Sequence, residues 1–511
     1  MRANAERHAR YSGLRPAVGS RSLKEHNPRG YYMSTNPVAS FVTQYVQALA
    51  DRNAAIFAGA GLSIPAGMVN WKELLKDIAA DVGLDVDKED DLVTLAQFHV
   101  NERGGRHQIN QALINEFSRR ASLTENHKIL AALPIRTFWT TNYDTLIEQS
   151  LRAAGKNPDV KVTVESLATT THRRDAIVYK MHGDVSLPDK AVVTKDDYES
   201  YDSTRHLFSM ALQGDLVSKT FLFIGFSFSD PNLSYILSRI RILLGENRRE
   251  HFCLLRKVQR RDFKKAMDFH YAEAKQQLQV KDLRRYGIMG LLVDDYAHYA
   301  VMLRNISARY GMARAFISGS AAEYTPWSDS AAQQFIQELS RALIQEGFGI
   351  VSGFGEGVGT YVVNGILEQL DREGTQLLDD RIVLRPFPLG ISDAVERKRR
   401  WTAYRTDMIE RAGVAIFLFG NKKDASGDIV DADGVEEEFD IASEKGLTPI
   451  PVGCTGSMAT ALHKRVLDDF NSHFSRRGYK QLFEDLGRMA TPRVVVGRVL
   501  KLLRKLRDDD Q

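Results

Sequence analysis

The sequence predicts an α/β protein made of two domains, each built on a doubly wound parallel sheet. At 511 residues the chain exceeds the size of one ordinary core, which favours two domains. Short apolar runs end abruptly at glycine or polar residues, as buried parallel strands do. Helical stretches separate these runs, and helices are the usual connections between parallel strands.

The first half begins with an amphipathic helix near Phe41 and then alternates strands with helices. Strand-like apolar runs occupy residues 54–58, 137–140, 177–180, 221–224 and 288–293. Residues 71–82 are predicted as a helix, and the highly charged segment 256–285 as exposed helix. We expect the run at 288–293 to close the first domain.

A second alternation of strands and helices follows a helix predicted at 296–312. Its strand-like runs are 315–320, 349–353, 414–420 and 448–452. The predicted division is a leader at 1–35, a first domain at 36–295, a linking helix at 296–312 and a second domain with C-terminal helices at 313–511. The two halves share an architecture but no repeated sequence.

Composition excludes several classes of protein. The chain is 43% hydrophobic and 26% charged, as soluble globular proteins are, and it lacks an apolar run of the roughly 20 residues that a membrane span needs. Its two cysteines, Cys253 and Cys454, favour a reducing cytoplasm over a disulfide framework. The net charge of +4 is small for this length and gives no reason to expect nucleic-acid binding.

The first 32 residues differ from the rest, with seven Arg or Lys against two Asp or Glu. They contain no apolar segment of the kind that a signal peptide requires. We expect a disordered tail, or a start assigned too early with Met33 as the true one. The alternative is a basic arm that contacts nucleic acid or a partner.

The polar residues and glycines that follow the first-domain strands predict a ligand pocket. They are Gly59, Ala60, Gly61 and Ser63, then Asn142 and Asp144, then His182, and finally Gly225 and Ser227. The carboxyl ends of parallel strands meet at one edge, where ligands of open α/β sheets bind. Gly59-Ala60-Gly61 would let backbone N–H groups approach a phosphate. Asp144 could instead cap the helix that follows it, and His99, His107 and His127 are predicted to be ordinary core or surface histidines.

The second domain has its own candidate ligand residues. They are Ser318, Gly319 and Ser320, the glycine string Gly353, Gly355 and Gly357, the cations Arg385, Arg405 and Lys422, and Glu438. A glycine-rich turn that opens a helix cradles phosphate, and strand-end cations neutralise it. Glu438 could accept hydrogen bonds from ribose hydroxyls. The plainer alternatives are a sharp turn for the glycines and a solvated ion-pair face for Glu438.

In their order and spacing, segments 59–63, 140–144 and 180–184 resemble the NAD pocket of the sirtuin fold, over about residues 41–295. The resemblance implies that Asn142 holds the ribose and the attacking water, that His182 is the base and that Asp144 supports the pocket. It also implies dinucleotide contacts for Gly59, Ala60, Gly61, Ser63, Gly225 and Ser227. Two cysteines cannot form the four-cysteine zinc module of sirtuin deacylases, so no metal site is expected.

Residues 313–455 resemble the Rossmann-like SLOG family, which binds nucleotide-derived ligands. A sirtuin-like domain followed by a SLOG domain is the layout of the Thoeris anti-phage effectors of the ThsA type. This resemblance implies a cytoplasmic NAD+ glycohydrolase that releases nicotinamide and ADP-ribose, with NAD+ as substrate and no further cofactor.

The same resemblance implies activation by a cyclic ADP-ribose isomer made by a TIR-domain protein, and assembly as a homotetramer, with no membrane or nucleic-acid partner. NAD+ depletion would then abort infection. The alternatives are a deacylase or ADP-ribosyl transferase, a non-catalytic nucleotide-binding module, and a phosphoribohydrolase activity of the second domain.

Overall fold

A computed structural model describes residues 37–226, 228, 231–374, 381–388, 390–474 and 477–509. The predicted leader at 1–35 and the predicted pocket residue Ser227 lie outside these residues. The described chain contains two parallel sheets and one short antiparallel hairpin.

The first sheet has seven strands, and every neighbouring pair in it is parallel. Its strands are β1 (Ala54–Ala58), β2 (Thr137–Thr140), β3 (Pro158–Lys161), β4 (Ala176–Lys180), β5 (Thr220–Ile224), β6 (His251–Arg256) and β7 (Ile288–Val293). The order across the sheet is β3-β4-β2-β1-β5-β6-β7. The chain therefore builds outward in one direction from β1 and then in the other, so the topological switch lies beside β1.

Helices cover both faces of this sheet. They are α1 (Pro37–Ala50), α2 (Trp71–Leu74), α3 (Lys76–Asp81), α4 (Leu92–Arg103), α5 (His107–Phe117), α6 (Glu125–Ala132), α7 (Leu146–Ala153), α8 (Val164–Leu167), α9 (Lys195–Glu199), α10 (Tyr201–Thr204), α11 (His206–Ser218), α12 (Pro231–Leu244), α13 (Ala266–Leu283) and α14 (Ala297–Met312). Successive residues of one strand face opposite sides. Ile56 thus lies in one apolar core, and its neighbours Ala55 and Phe57 lie in another. The doubly wound prediction is confirmed.

The second sheet has five strands in the order β10-β9-β8-β11-β14, again all parallel. They are β8 (Arg314–Ser320), β9 (Gly349–Ser352), β10 (Ile382–Leu384), β11 (Val414–Phe419) and β14 (Thr448–Pro451), while β12 (Asn421–Lys423) and β13 (Ile429–Asp431) form the hairpin. The helices are α15 (Asp329–Gln345), α16 (Gly359–Arg372), α17 (Ala394–Ile409), α18 (Asp433–Glu444), α19 (Ser457–Asp468), α20 (Phe470–His473), α21 (Lys480–Glu484) and α22 (Pro492–Asp509). One continuous apolar core joins this sheet to its helices.

Helix α14 connects the two sheets and packs mainly on the first. Tyr299, Leu303 and Ile306 are buried in a first-sheet core, and the Tyr299 hydroxyl donates to the Leu254 carbonyl over 3.0 Å. No helix within the described ranges is both long and apolar enough to cross a membrane.

Candidate functional site

The predicted pocket residues of the first domain follow four strands that lie side by side in the order β4-β2-β1-β5. Ala58 pairs with both Thr140 and Ile224, and Thr140 pairs with Lys180. Because the strand ends are aligned, the loops that follow them lie at one edge of the sheet. These loops carry His182, Asn142, Gly59 and Gly225. This edge is beside the topological switch, where open α/β sheets bind ligands.

Three glycines bring the loops after β1 and β5 into backbone contact. The Gly59 N–H donates to the Ile224 carbonyl over 3.0 Å, and the Gly61 N–H donates to the Gly225 carbonyl over 2.9 Å. Gly225 has φ +65°, and a Cβ on it would lie 2.3 Å from the Leu62 nitrogen. A larger residue at Gly225 would therefore force the two loops apart.

We expect Gly225→Ala to lower the free energy of unfolding. The left-handed backbone strain and the steric overlap together should cost about 2–4 kcal/mol, which chemical denaturation would measure. Gly155→Ala is the matched control, because Gly155 has φ +73° but open space around its Cβ position. Equal losses in the two variants would contradict the steric explanation.

Asn142 is held in place by the loop after β1. Its Nδ2 donates to the Gly59 carbonyl and to the Ser63 hydroxyl, each over 3.1 Å. Its own N–H donates to the Thr140 hydroxyl over 2.9 Å, and the side chain is buried. The structure thus brings together three predicted residues, Gly59, Ser63 and Asn142, by direct contact. Both amide hydrogens of Asn142 are used in this way, which fixes the orientation of its side chain.

His182 and Asp144 are also buried at this edge. The His182 ring lies edge-on to Tyr198, with the ring centroids 5.5 Å apart. One oxygen of Asp144 accepts from the N–H of Leu146, the first residue of α7, over 3.0 Å. The other oxygen of Asp144 is buried and has no hydrogen-bond partner among the described residues. Asp144 therefore has a structural role at the start of α7 through one of its two oxygens.

The three histidines that were predicted to be ordinary residues lie in the core or at the surface. His99 is fully buried and bonds Gln108 over 2.6 Å, whereas His107 is exposed. His127 is buried, and its Nδ1 lies 2.7 Å from the Thr124 hydroxyl. Burial lowers the pKa of His127 despite the opposing charge of Asp144.

In the second domain, direct contacts join Ser318, Arg405 and Glu438. The Ser318 hydroxyl donates to the Glu438 carboxylate over 2.6 Å, and the Arg405 Nε lies 3.5 Å from the same carboxylate. Arg405 also pairs with Glu437 over 2.8 Å and lies under the Phe387 ring. Burial raises the pKa of Glu438, and the hydrogen bond from Ser318 and the charge of Arg405 oppose that rise. Glu438 is thus a buried member of this cluster rather than part of a solvated face.

The two other predicted cations have carboxylate partners of their own. Lys422 lies on β12, half exposed, and pairs with Asp433 at the start of α18. Arg385 follows β10 and pairs with Asp407 of α17. Its ion pair therefore joins Arg385 to α17.

The glycine string after β9 packs against the end of β8, which runs through Ser320. A Cβ on Gly355 would lie 2.0 Å from the Gly319 carbonyl oxygen. The Gly353 Cβ position is 2.9 Å from the Phe387 ring, and that of Gly357 is 2.1 Å from the Ala321 carbonyl oxygen. Close approach of backbone at Gly355 and Gly357, and of an aromatic ring at Gly353, therefore requires glycine here, as a phosphate-binding turn would.

Two residues that sequence reasoning left without a role order these sites. Lys180 is the last residue of β4 and is fully buried. Its ammonium contacts the Asp144 carbonyl and the Asp184 carboxylate. Asn421 is buried after β11, where its Oδ1 accepts from the Ala322 N–H over 2.8 Å and its Nδ2 donates to the Glu323 carbonyl over 2.9 Å. A charged or amide residue at the end of an apolar strand, or just past it, is the sequence signal that could have found both.

Cys253 and Cys454 are both buried as free thiols. In the described part of the chain, no group of three or more His, Cys, Asp and Glu side chains is arranged to hold a metal ion.

Comparison with known proteins identifies both halves of the chain. Residues 136–279 match the SIR2-like domain family, and residues 298–506 match the Sir2- and TIR-associating SLOG family. The NAD(+) hydrolase ThsA of Bacillus cereus is 48% identical over 90% of this chain and 96% of its own length. The proteins of the same name from Acinetobacter baumannii and Enterococcus faecium are 46% and 43% identical, over 91% and 92% of this chain and 97% and 99% of their own lengths.

The two parallel sheets, with a SIR2-like domain followed by a SLOG domain, define an NAD(+)-hydrolysing enzyme of defence. The identity to the ThsA proteins extends over almost their whole length. The chain belongs to the ThsA family of NAD(+) hydrolases.

Proposed function

We propose that the chain cleaves NAD+ to nicotinamide and ADP-ribose at the strand-end pocket of the first domain, when a cyclic ADP-ribose isomer binds the second. The observation that carries this proposal is the fixed contact of Asn142 with Gly59 and Ser63, beside the end of the strand that leads to His182. It puts a backbone turn suited to phosphate next to polar side chains suited to a ribose.

Cleavage of the bond between nicotinamide and ribose passes through an oxocarbenium-like state, as glycoside hydrolysis does. The departing pyridinium is already cationic, so the pocket does not need a strong acid. Asn142 would hold the ribose and the attacking water, and His182 would accept a proton from a hydroxyl or water near neutral pH. Asp144 would support the pocket with its second oxygen. Gly59, Ala60, Gly61, Ser63, Gly225 and Ser227 would contact the dinucleotide.

The second domain would bind the activator where the Ser318–Arg405–Glu438 cluster meets the glycine string. Arg405, Lys422 and Arg385 would face phosphates, Glu438 would accept from ribose hydroxyls, and Ser318, Gly319, Ser320, Gly353, Gly355 and Gly357 would line the turn. Support comes from the close backbone approach of the glycines and from cations on neighbouring elements. Activation then requires that the activator bind the active state more tightly than the resting state.

In the cell, we infer that a TIR-domain partner supplies the activator, that the enzyme acts as a cytoplasmic homotetramer, and that NAD+ depletion aborts phage infection. An enzyme that destroys NAD+ must be silent at rest, because unregulated activity would kill its host. A ligand-gated second domain meets that requirement.

The test is NAD+ consumption by the purified full chain, with and without each cyclic ADP-ribose isomer. We expect nicotinamide release to rise strongly with one isomer and to stay low without it. Intact NAD+ under every isomer would favour a nucleotide-binding module without catalysis. Formation of O-acyl-ADP-ribose from an acylated peptide would instead favour a deacylase.

A further inference from the structure

Lys180 is a buried cation that contacts both loops of the proposed catalytic centre. It ends β4 and is 0% exposed. Its Nζ donates to the backbone carbonyl of Asp144, in the loop that carries Asn142. The same Nζ lies 2.5 Å from the carboxylate of Asp184, in the loop that carries His182. One ammonium thus joins two segments that are about forty residues apart in the chain.

The surroundings keep this ammonium charged. Glu148 of α7 is also buried and lies 3.4 Å from the Lys180 Nζ. Burial would lower the pKa of Lys180, but the charges of Glu148, Asp184 and Asp144 outweigh it and raise that pKa. Burial also raises the pKa of Glu148. Because an isolated charge is costly in the interior, Lys180 and its carboxylates stay together.

Backbone hydrogen bonds meet the ammonium at the junction of the two loops. The Val185 N–H donates to the Tyr143 carbonyl over 3.0 Å, and the Lys180 Nζ lies 3.4 Å from that same carbonyl oxygen. The backbone bond and the ammonium therefore meet at one point of the Asn142 loop. The Tyr143 hydroxyl also donates to the Val192 carbonyl over 2.7 Å, and the Val192 N–H donates to the His182 carbonyl over 2.8 Å, so hydrogen bonds support the ammonium at this junction.

We propose that Lys180 is a positioning residue for NAD+ hydrolysis, whose ammonium fixes the Asn142 loop against the His182 loop. This inference rests on the proposed function, because it takes Asn142 and His182 as the groups that act on the ribose. Lys180 itself does not need to touch the substrate. Its loss should therefore affect the chemical step more than the binding of the dinucleotide, which the three glycines would continue to hold.

The experiment compares Lys180→Met with Lys161→Met in the full chain. Lys161 is a matched control, since it is buried at the end of β3 in the same sheet and pairs with Asp159 over 2.9 Å, outside both catalytic loops. NAD+ hydrolysis is followed by nicotinamide release, with the cyclic ADP-ribose isomer that gives the wild type its highest rate. Rates are normalised to the folded fraction from circular dichroism.

We expect kcat of Lys180→Met to fall by about 10- to 100-fold, as misplacement by about 1 Å would cause, while KM for NAD+ changes by less than about threefold. Lys161→Met should keep the wild-type kcat. Since Lys180→Met leaves carboxylates buried without their cation, the double variant Lys180→Met/Glu148→Gln removes one of them. The double variant should have a larger folded fraction than Lys180→Met and the same reduced kcat.

A wild-type kcat in folded Lys180→Met or in the double variant would overturn the inference, as would an equal loss in Lys161→Met. Asn142→Ala and His182→Ala are measured alongside them. If those two variants keep the wild-type rate, the proposed catalytic centre is wrong. If they lose the rate and Lys180→Met does not, the positioning role alone is wrong.

Discussion

Asn142→Ala and His182→Ala are each expected to lower the rate of NAD+ hydrolysis by about 10²-fold or more, the usual size of a lost orienting or proton-accepting group. The expected cause differs between the two. Asn142→Ala removes an amide whose hydrogens hold the loop after β1 at Gly59 and Ser63. His182→Ala removes the proposed base and leaves a cavity beside Tyr198. Nicotinamide release with saturating activator measures both effects.

His107→Ala is the control for these variants, because His107 is an exposed histidine at the start of α5. It should keep the wild-type rate. The two catalytic variants should still bind the activator, since the second domain is unchanged. Wild-type turnover in both Asn142→Ala and His182→Ala would reject the assignment of the centre.

The sequence predicted well those strands that are apolar from end to end. β1, β2 and β5 are buried along their whole length, so their apolar runs stop where the pocket begins. β3 was not predicted, because Pro158-Asp159-Val160-Lys161 carries two charged residues, which are buried as an ion pair with each other. β6 was missed for a related reason, since it begins with a buried histidine and ends with a half-buried arginine.

Prediction from the sequence is limited in the same way for the candidate sites. Residues at strand ends could be predicted because all parallel strands of a sheet end at one edge. The partners of those residues could not, because they come from elements distant in sequence. Several residues near Glu438 in the sequence are charged, yet Glu438 is buried against Ser318, which lies 120 residues away in the chain. The helix at 71–82 breaks into α2 and α3 at Leu75, which is buried in the helical core of this region.

Lys422→Ala is expected to weaken activator binding by roughly ten- to a hundredfold, with little effect on the fold. The loss of one charge-assisted contact to a phosphate costs about 1.5–3 kcal/mol. Lys422 is half exposed and its partner Asp433 is largely exposed, so their ion pair contributes little to stability. Saturating activator should restore much of the NAD+ hydrolysis rate, because the first domain is unchanged. Isothermal titration calorimetry measures the affinity.

Arg405→Ala should weaken activator binding to a similar extent, and it should also destabilise the second domain. Arg405 is the cation beside buried Glu438, so its removal leaves that carboxyl with Ser318 and raises its pKa further. Thermal unfolding should therefore separate the two variants, with a lower midpoint for Arg405→Ala alone.

Lys445→Ala serves as the control for both variants. Lys445 lies at the far end of α18 and pairs with Glu410 over 2.6 Å, so it tests the loss of a surface ion pair distant from the proposed ligand. It should bind the activator as the wild type does. If Lys422→Ala and Arg405→Ala also bind the activator with wild-type affinity, the ligand lies elsewhere. The Ser318–Arg405–Glu438 cluster would then hold α17 and α18 against β8 without sensing a nucleotide.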